Sequence, residues 1–214
     1  MTPSMHVRAP RSDALKNRAA LLDAARVELN RDPDAPLDAI ASAAGLSRRS
    51  VYSHFPSREA LIAELASLGA ARVAAAVDAI HDADPVLDLA LVGRLVWDDV
   101  EHVRAMTRSV VRGPLREQVL TGELGPLHAR IVADVELAAQ TGAGRTDLPA
   151  ETVAHLIEGA AFAVLDESLR RPVSRQEGRR LVVLAGLAVL GLSWREAQDV
   201  LETNIDRLAP EEDR

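Results

Sequence analysis

An all-α fold follows from three features of this 214-residue sequence. Aromatic residues make up only 2% of the chain although apolar residues reach 48%, so Leu, Val and Ala must fill the core, a composition that suits helices better than sheets. Apolar residues recur at steps of three and four over much of the length. No stretch shows the strict apolar–polar alternation of a half-buried strand.

The elements can be taken in order. Ser12 is placed to cap a first helix, on which Leu15, Ala19, Leu22, Ala25 and Leu29 form an apolar stripe. Asp32-Pro33-Asp34-Ala35-Pro36 breaks it, and Pro36 suits the opening of a short helix over 37–44 with Ile40 and Ala41 inward. Gly45 supplies the positive φ of a three- to four-residue turn. Ser47 caps the next helix, where Val51 and Phe55 lie four apart and face inward. Pro56 ends that helix, and Ser57 starts a longer one with Ile62, Leu65, Gly69, Val73, Ala76 and Ile80 on one face. After His81-Asp82-Ala83-Asp84-Pro85, helices are predicted over 85–95, 97–111, 115–139, 149–170, 175–191 and 194–207, with Gly122 and Gly125 as a point where the third of these divides. Ser174-x-x-Glu177 and Ser193-x-x-Glu196 have the spacing of capping boxes.

Charge divides the chain more sharply than its net value of −7 suggests. Residues 1–58 hold nine Arg/Lys against six Asp/Glu, whereas the remainder carries −10. A small basic head on an acidic body has the asymmetry of a nucleic-acid binder. There are no cysteines, which excludes disulfides and thiolate metal sites. The first residues lack the apolar centre of a signal peptide, and no uninterrupted apolar run approaches ~18 residues. A cytoplasmic protein without membrane contact is expected.

The helix over 47–55 carries the chemistry. In a helix-turn-helix the second helix enters the major groove N-terminus first, so its first turn meets base edges. Arg48 and Arg49 occupy that turn, and each can fork onto guanine O6 and N7, worth roughly 1–3 kcal/mol of discrimination. Ser47 and Ser50 can reach a phosphate or a base edge, while Tyr52, Ser53 and His54 lie further along, where backbone phosphates run. Arg58, at the start of the next helix, adds its charge to a partly positive helix end. Two adjacent arginines alone would more often be an ordinary solvated face. The turn glycine, the small preceding helix, the inward Val51 and Phe55 and an outward face made of donors together outweigh that reading.

Leu21-Leu22-Asp23-Ala24-Ala25, residues 40–47 (Ile-Ala-Ser-Ala-Ala-Gly-Leu-Ser) and residues 51–61 (Val-Tyr-Ser-His-Phe-Pro-Ser-Arg-Glu-Ala-Leu) resemble the head of the TetR/AcrR bacterial transcriptional regulators over about residues 14–66. By resemblance, Arg48 and Arg49 read bases, and Tyr52, Ser53, His54 and Arg58 grip phosphates. Leu37 stands where members often carry a hydroxyl-bearing phosphate contact, Leu29 stands where an aromatic is usual, and the loop after it is short and lacks glycine. The resemblance implies a three-helix DNA-binding domain over 1–66, ordered from about residue 12, and a helical ligand-binding and dimerisation domain over 67–214.

In that second part, residues 181–192 are apolar on every face, and Val153, Leu156, Ile157, Ala160, Ala161, Val164 and Leu165 give the 149–170 helix a broad apolar side. The resemblance makes these two helices a homodimer interface, with Leu156, Ala160, Leu184, Leu187 and Ala188 as candidates. The alternative is that both helices form the core of one subunit. Trp97, His102, Met106, His128, His155, Glu158 and Phe162 interrupt otherwise aliphatic helices and are candidates for lining an effector pocket. Asp98, Glu101 and His102 have metal-compatible spacing, as does His155-x-x-Glu158, but acidic surroundings favour a solvated face, so no metal or cofactor is expected. The resulting expectation is a repressor that binds a palindromic double-stranded DNA operator and is released by a small molecule. Its rival is a helical-bundle small-molecule-binding protein or enzyme without DNA binding; no nucleophile–base pair supports an enzyme.

Overall fold

The computed structural model describes residues 10–101, 118 and 121–208. Every regular element among them is helical: α1 (Pro10–Arg31), α2 (Leu37–Ala43), α3 (Arg48–His54), α4 (Arg58–Asp78), α5 (Pro85–Glu101), α6 (Gly125–Thr141), α7 (Ala150–Arg170), α8 (Arg175–Leu190), α9 (Trp194–Thr203) and α10 (Ile205–Leu208). They form two compact units, 1–65 and 66–214, divided within α4.

In the first unit α2 packs between α1 and α3. Its core is Leu21, Ala25 and Leu29 of α1, Ile40 and Ala41 of α2, Val51 and Phe55 at α3, and Leu61 of α4, each at most 1% exposed. The inward stripe of α1 therefore runs through Leu21, Ala25 and Leu29, at steps of four. Leu15 is 69% exposed and Ala19 is also exposed, which corrects the expected stripe. Leu21 is fully buried and Leu22 only half-buried, so Leu21 rather than Leu22 continues the stripe of Ala25 and Leu29. Helix α1 also begins at Pro10, before the expected Ser12 cap.

Helix α2 ends where Gly45 takes φ 68°, so that the Gly45 and Leu46 amides turn back onto the Ser42 and Ala41 carbonyls. An L side chain at that φ would be strained. Ser47 then caps α3, its Oγ accepting from the Ser50 amide at 3.2 Å. The Ser57 hydroxyl accepts from the Ala60 amide at the start of α4. By length and composition α4 is apolar enough to cross a membrane. Its Leu61, Ile62, Leu65, Ala66, Ala70, Val73 and Val77 are nevertheless buried within the protein, as the stripe of a core helix.

In the second unit α8 is central, packing on α5, α7 and α9, while α6 packs on α5 and α7. The core runs through Ala90 and Trp97 of α5, Ile131, Val135 and Ala138 of α6, Val153 and Ala154 of α7, and Val182, Val183, Leu187 and Leu190 of α8. Helices α6 and α8 stop at Gly142 and Gly191, both left-handed. Ser193 and Glu196 form a reciprocal capping box. Ser174 accepts from the Glu177 amide, but the Glu177 carboxylate pairs with Arg171 rather than reaching back. The break expected near residue 96 is absent, since α5 is continuous to Glu101. The segment expected over 115–139 has turn residues at 122–124 and becomes α6 from Gly125; residues 102–117 of the expected 97–111 and 115–139 segments lie outside the described residues.

Candidate functional site

The candidate reading surface is the outward side of α3. With Val51 at 0% and Phe55 at 1% exposure on the inward side, Arg48, Arg49, Tyr52 and Ser53 are turned to solvent. The Arg48 guanidinium lies 5.7 Å from the Tyr52 ring centroid and 3.2 Å from Asp38 Oδ2 of α2. Ser47 is engaged in capping, and the Ser53 hydroxyl donates to the Ser50 carbonyl at 2.6 Å. His54 is half-buried.

Two arginines hold this surface in place. Arg18 of α1 stacks its guanidinium 4.5 Å from the Phe55 ring centroid, donates from Nη1 to the His54 carbonyl at 3.0 Å, and forms a two-pronged ion pair with Glu64 of α4. One side chain thus ties the C-terminus of α3 to the helices on either side. Arg58, expected on phosphate, donates from Nε to the Ala35 carbonyl at 3.0 Å and from Nη2 to the Pro33 carbonyl. In this structure it braces the α1–α2 loop, because a glycine-free loop of Pro and Asp leaves carbonyls that need donors. Arg18 and Asp38 were not among the expected site residues. The available signal for Arg18 was its position three residues before Leu21, in line with the buried stripe.

In the body the expected pocket residues divide. Trp97 is a core residue, 3% exposed, with its indole against the Cα of Gly178 on α8. Phe162 is half-buried and packs with Leu124 against Ala66 and Ala70. His102 and Met106 lie outside the described residues. Asp98 pairs with Arg94 at 3.3 Å and with Arg179, which makes it a packing anchor rather than part of the Asp98–Glu101–His102 spacing.

His128, His155 and Glu158 do converge. His128 of α6 places Nδ1 2.8 Å from Glu158 Oε1 and Nε2 3.0 Å from Glu151 Oε1, both on α7. His155 Nδ1 lies 2.8 Å from the Glu151 carbonyl, and the two imidazoles are 4.6 Å apart between centroids. Burial alone would lower the His128 pKa, but hydrogen bonds and charge from Glu151 and Glu158 outweigh it and raise the value above 6.5. Of the expected dimerisation residues, Leu156 is 48% exposed, Ala188 is exposed, and Ala160 and Leu184 are half-buried. Leu187 is 1% exposed within one chain, so it belongs to the core and not to a surface.

A donor-rich helix turned outward over a buried Val51–Phe55 edge, after a tight glycine turn, defines a helix-turn-helix DNA-binding head. The sequence model of tetR-family bacterial regulatory proteins matches residues 21–65, which are α1 from its buried stripe through the start of α4. Over that span the head is that of a tetR-family bacterial regulatory protein, which supports a DNA-binding transcriptional regulator. No curated protein matches the chain. Among solved structures it is similar to RolR in complex with resorcinol, at 19% identity over 89% of this chain and 95% of that one, with a TM-score of 0.65. It is also similar to the fatty acid degradation regulator FadR from Bacillus halodurans, at 16% identity, 86% and 96% coverage and a TM-score of 0.67. SmeT, the repressor of the Stenotrophomonas maltophilia multidrug efflux pump SmeDEF, is 19% identical over 80% and 88%, with a TM-score of 0.62. At these identities the likeness is one of fold.

Proposed function

We propose that the protein is a homodimeric, cytoplasmic repressor that binds a palindromic operator and is released when a small molecule occupies its helical body. The observation that carries the reading is the exposed face of α3, where Arg48, Arg49 and Tyr52 stand outward while Val51 and Phe55 are buried. The head is taken as residues 1–66 and the body as 67–214. Arg48 and Arg49 read bases, Ser47 and Ser50 reach a phosphate or a base edge, Tyr52, Ser53 and His54 contact the sugar-phosphate backbone, and Arg58 acts through the loop it braces. A single recognition helix reads too few base pairs to be selective, so two copies must present their α3 helices to successive major grooves. The apolar surface of α7 and α8, with Leu156, Ala160, Leu184 and Ala188, is the surface available for that pairing.

RolR with resorcinol and SmeT with triclosan support a small-molecule effector in the body. His128, His155, Glu158 and Phe162 are the polar and aromatic groups among the described residues that we assign to its vicinity. Release requires only that the effector bind better to the conformer whose recognition helices are misplaced for the operator. The test is a gel shift on DNA upstream of the protein's own gene at two salt concentrations. Sequence-selective, salt-sensitive binding that Arg48→Ala and Arg49→Ala each weaken by about 1–3 kcal/mol supports the reading. Operator affinity untouched by both substitutions would overturn it.

A further inference from the structure

Glu151, His155 and Glu158 recur at steps of four and three on α7, which places them on one side of that helix. Spacing alone does not separate a metal site from a solvated acidic face. The fold adds a third ligand from another helix: His128 of α6 brings a ring nitrogen into the same space, and one ligand atom each from His128, His155 and Glu158 lie within 4.8 Å of one another. The geometry points to a divalent transition-metal site, with His128 Nδ1, His155 Nε2 and the Glu158 carboxylate as ligands and Glu151 as their outer support.

The hydrogen bonds already present assign the nitrogens. His155 Nδ1 faces the Glu151 carbonyl at 2.8 Å, an acceptor only, so Nδ1 carries the proton and the lone pair is on Nε2. His128 Nε2 faces the Glu151 carboxylate at 3.0 Å and donates to it, which leaves Nδ1 as the nitrogen turned toward Glu158. Backbone and carboxylate acceptors behind metal-binding imidazoles are the usual outer shell of such centres, fixing tautomer and ring orientation. His128 Nδ1 and Glu158 Oε1 are 2.8 Å apart, joined through a proton. A metal ion takes that proton's place, and the pair need open by only about half an ångström to become neighbouring ligands at the roughly 2.0–2.2 Å bonds that zinc makes.

Ligand chemistry selects the ion. Two imidazoles and one carboxylate suit Zn²⁺, Co²⁺, Ni²⁺ or Cu²⁺, while Mg²⁺ and Ca²⁺ prefer oxygen donors throughout. Three protein ligands leave a coordination position open to water or to an oxygen donor of a bound molecule. The ion would clamp α6 to α7. The alternative is that His128 serves only as an imidazolium bridge between Glu151 and Glu158.

The test uses untagged, full-length, chelator-stripped protein titrated without DNA, so that it stands apart from the regulatory reading. Co²⁺ is followed by its visible absorption and Zn²⁺ by calorimetry, with His155→Ala and Glu158→Gln as variants. Both positions tolerate change in the fold, since His155 is exposed and Gln matches Glu in shape. One ion per protomer is expected, weakened at least 10-fold in each variant, together with a Zn²⁺-dependent rise in Tm that the variants lose. Glu151→Gln should weaken binding about 10–100-fold as an outer-shell change. Binding at no defined stoichiometry, or with equal affinity in wild type and both variants, overturns the site and leaves the imidazolium bridge.

Discussion

Arg130 of α6 faces Asp88 of α5 with two parallel hydrogen bonds, Nε to Oδ2 at 2.8 Å and Nη2 to Oδ1 at 2.7 Å, and Asp88 is 0% exposed. The same carboxylate accepts the Asp82 amide at 2.6 Å, and Arg130 Nη1 donates to the Val77 carbonyl at the end of α4 at 2.6 Å. A buried charge is tolerated only when paired and hydrogen-bonded, and here one pair ties the ends of three helices. Removing one partner leaves the other charge buried. Asp88→Ala should lower unfolding free energy by about 3–5 kcal/mol in urea titrations, while Asp88→Leu with Arg130→Met should cost markedly less than the single change. A single substitution as mild as the double would show that the pair does not hold these helices.

Asp134 sits beside this pair, 5% exposed, and burial pushes its pKa from 3.8 to about 7, helped by its hydrogen bond to Asp88 and that carboxylate's charge and opposed by Arg130. The folded state therefore holds this proton more tightly than the unfolded chain. The stabilisation is fully present below about 3.8 and is lost as pH rises through about 7. Between pH 5 and 8 stability should fall with rising pH, and Asp134→Asn should flatten the slope. His128, whose pKa is also raised, contributes with the same sign, so the difference between wild type and Asp134→Asn is the quantity to measure. An unchanged slope in that variant would remove Asp134 from the account.

Gly178 on α8 lies under the Trp97 indole so closely that an added Cβ would overlap the ring. In a close-packed core the indole must shift, and Gly178→Ala should cost about 1–3 kcal/mol. Gly69 of α4 has nothing within 4 Å of an added Cβ, so Gly69→Ala should instead stabilise by about 0.5–1 kcal/mol through helix propensity. Thermal melts of the two variants should move in opposite directions. A neutral Gly178→Ala would mean that Trp97 repacks freely.

The head was legible in sequence because its signals are local. A turn glycine, two serine caps and the Val51–Phe55 pair each act within a few residues, and each stands where expected. What sequence could not supply were contacts between distant residues. Arg18 reaches Glu64 across 46 positions and His54 across 36, so its place in line with the α1 stripe does not by itself reveal the partners it clamps. The α7 spacing of His155 and Glu158 was visible, but their meeting with His128 depends on how α6 lies against α7. Arg58 illustrates the converse: a position read as a phosphate contact from its neighbours is drawn inward by carbonyls of the preceding loop.

Arg48 gives the last prediction, because the guanidinium we propose as a base reader begins bound to Asp38 at 3.2 Å. Both side chains are largely in solvent, 73% and 45% exposed, where such pairs are worth about 0.2–1 kcal/mol. To fork onto a guanine, Arg48 must leave Asp38, and the abandoned carboxylate then sits near DNA phosphates. Asp38→Asn removes both penalties and should tighten operator binding about two- to five-fold, most at low salt. It also removes an acidic residue from the first turn of α2, which should cost the head about 0.3–1 kcal/mol of stability. Affinity and stability therefore move in opposite directions, a pattern that a general loosening of the head would not produce. In an Arg48→Ala background the competition is gone and Asp38→Asn should change affinity far less, which a double-mutant cycle on operator DNA measures directly. If Asp38→Asn instead weakened binding in the wild type only, Asp38 would be orienting Arg48 for the groove rather than restraining it.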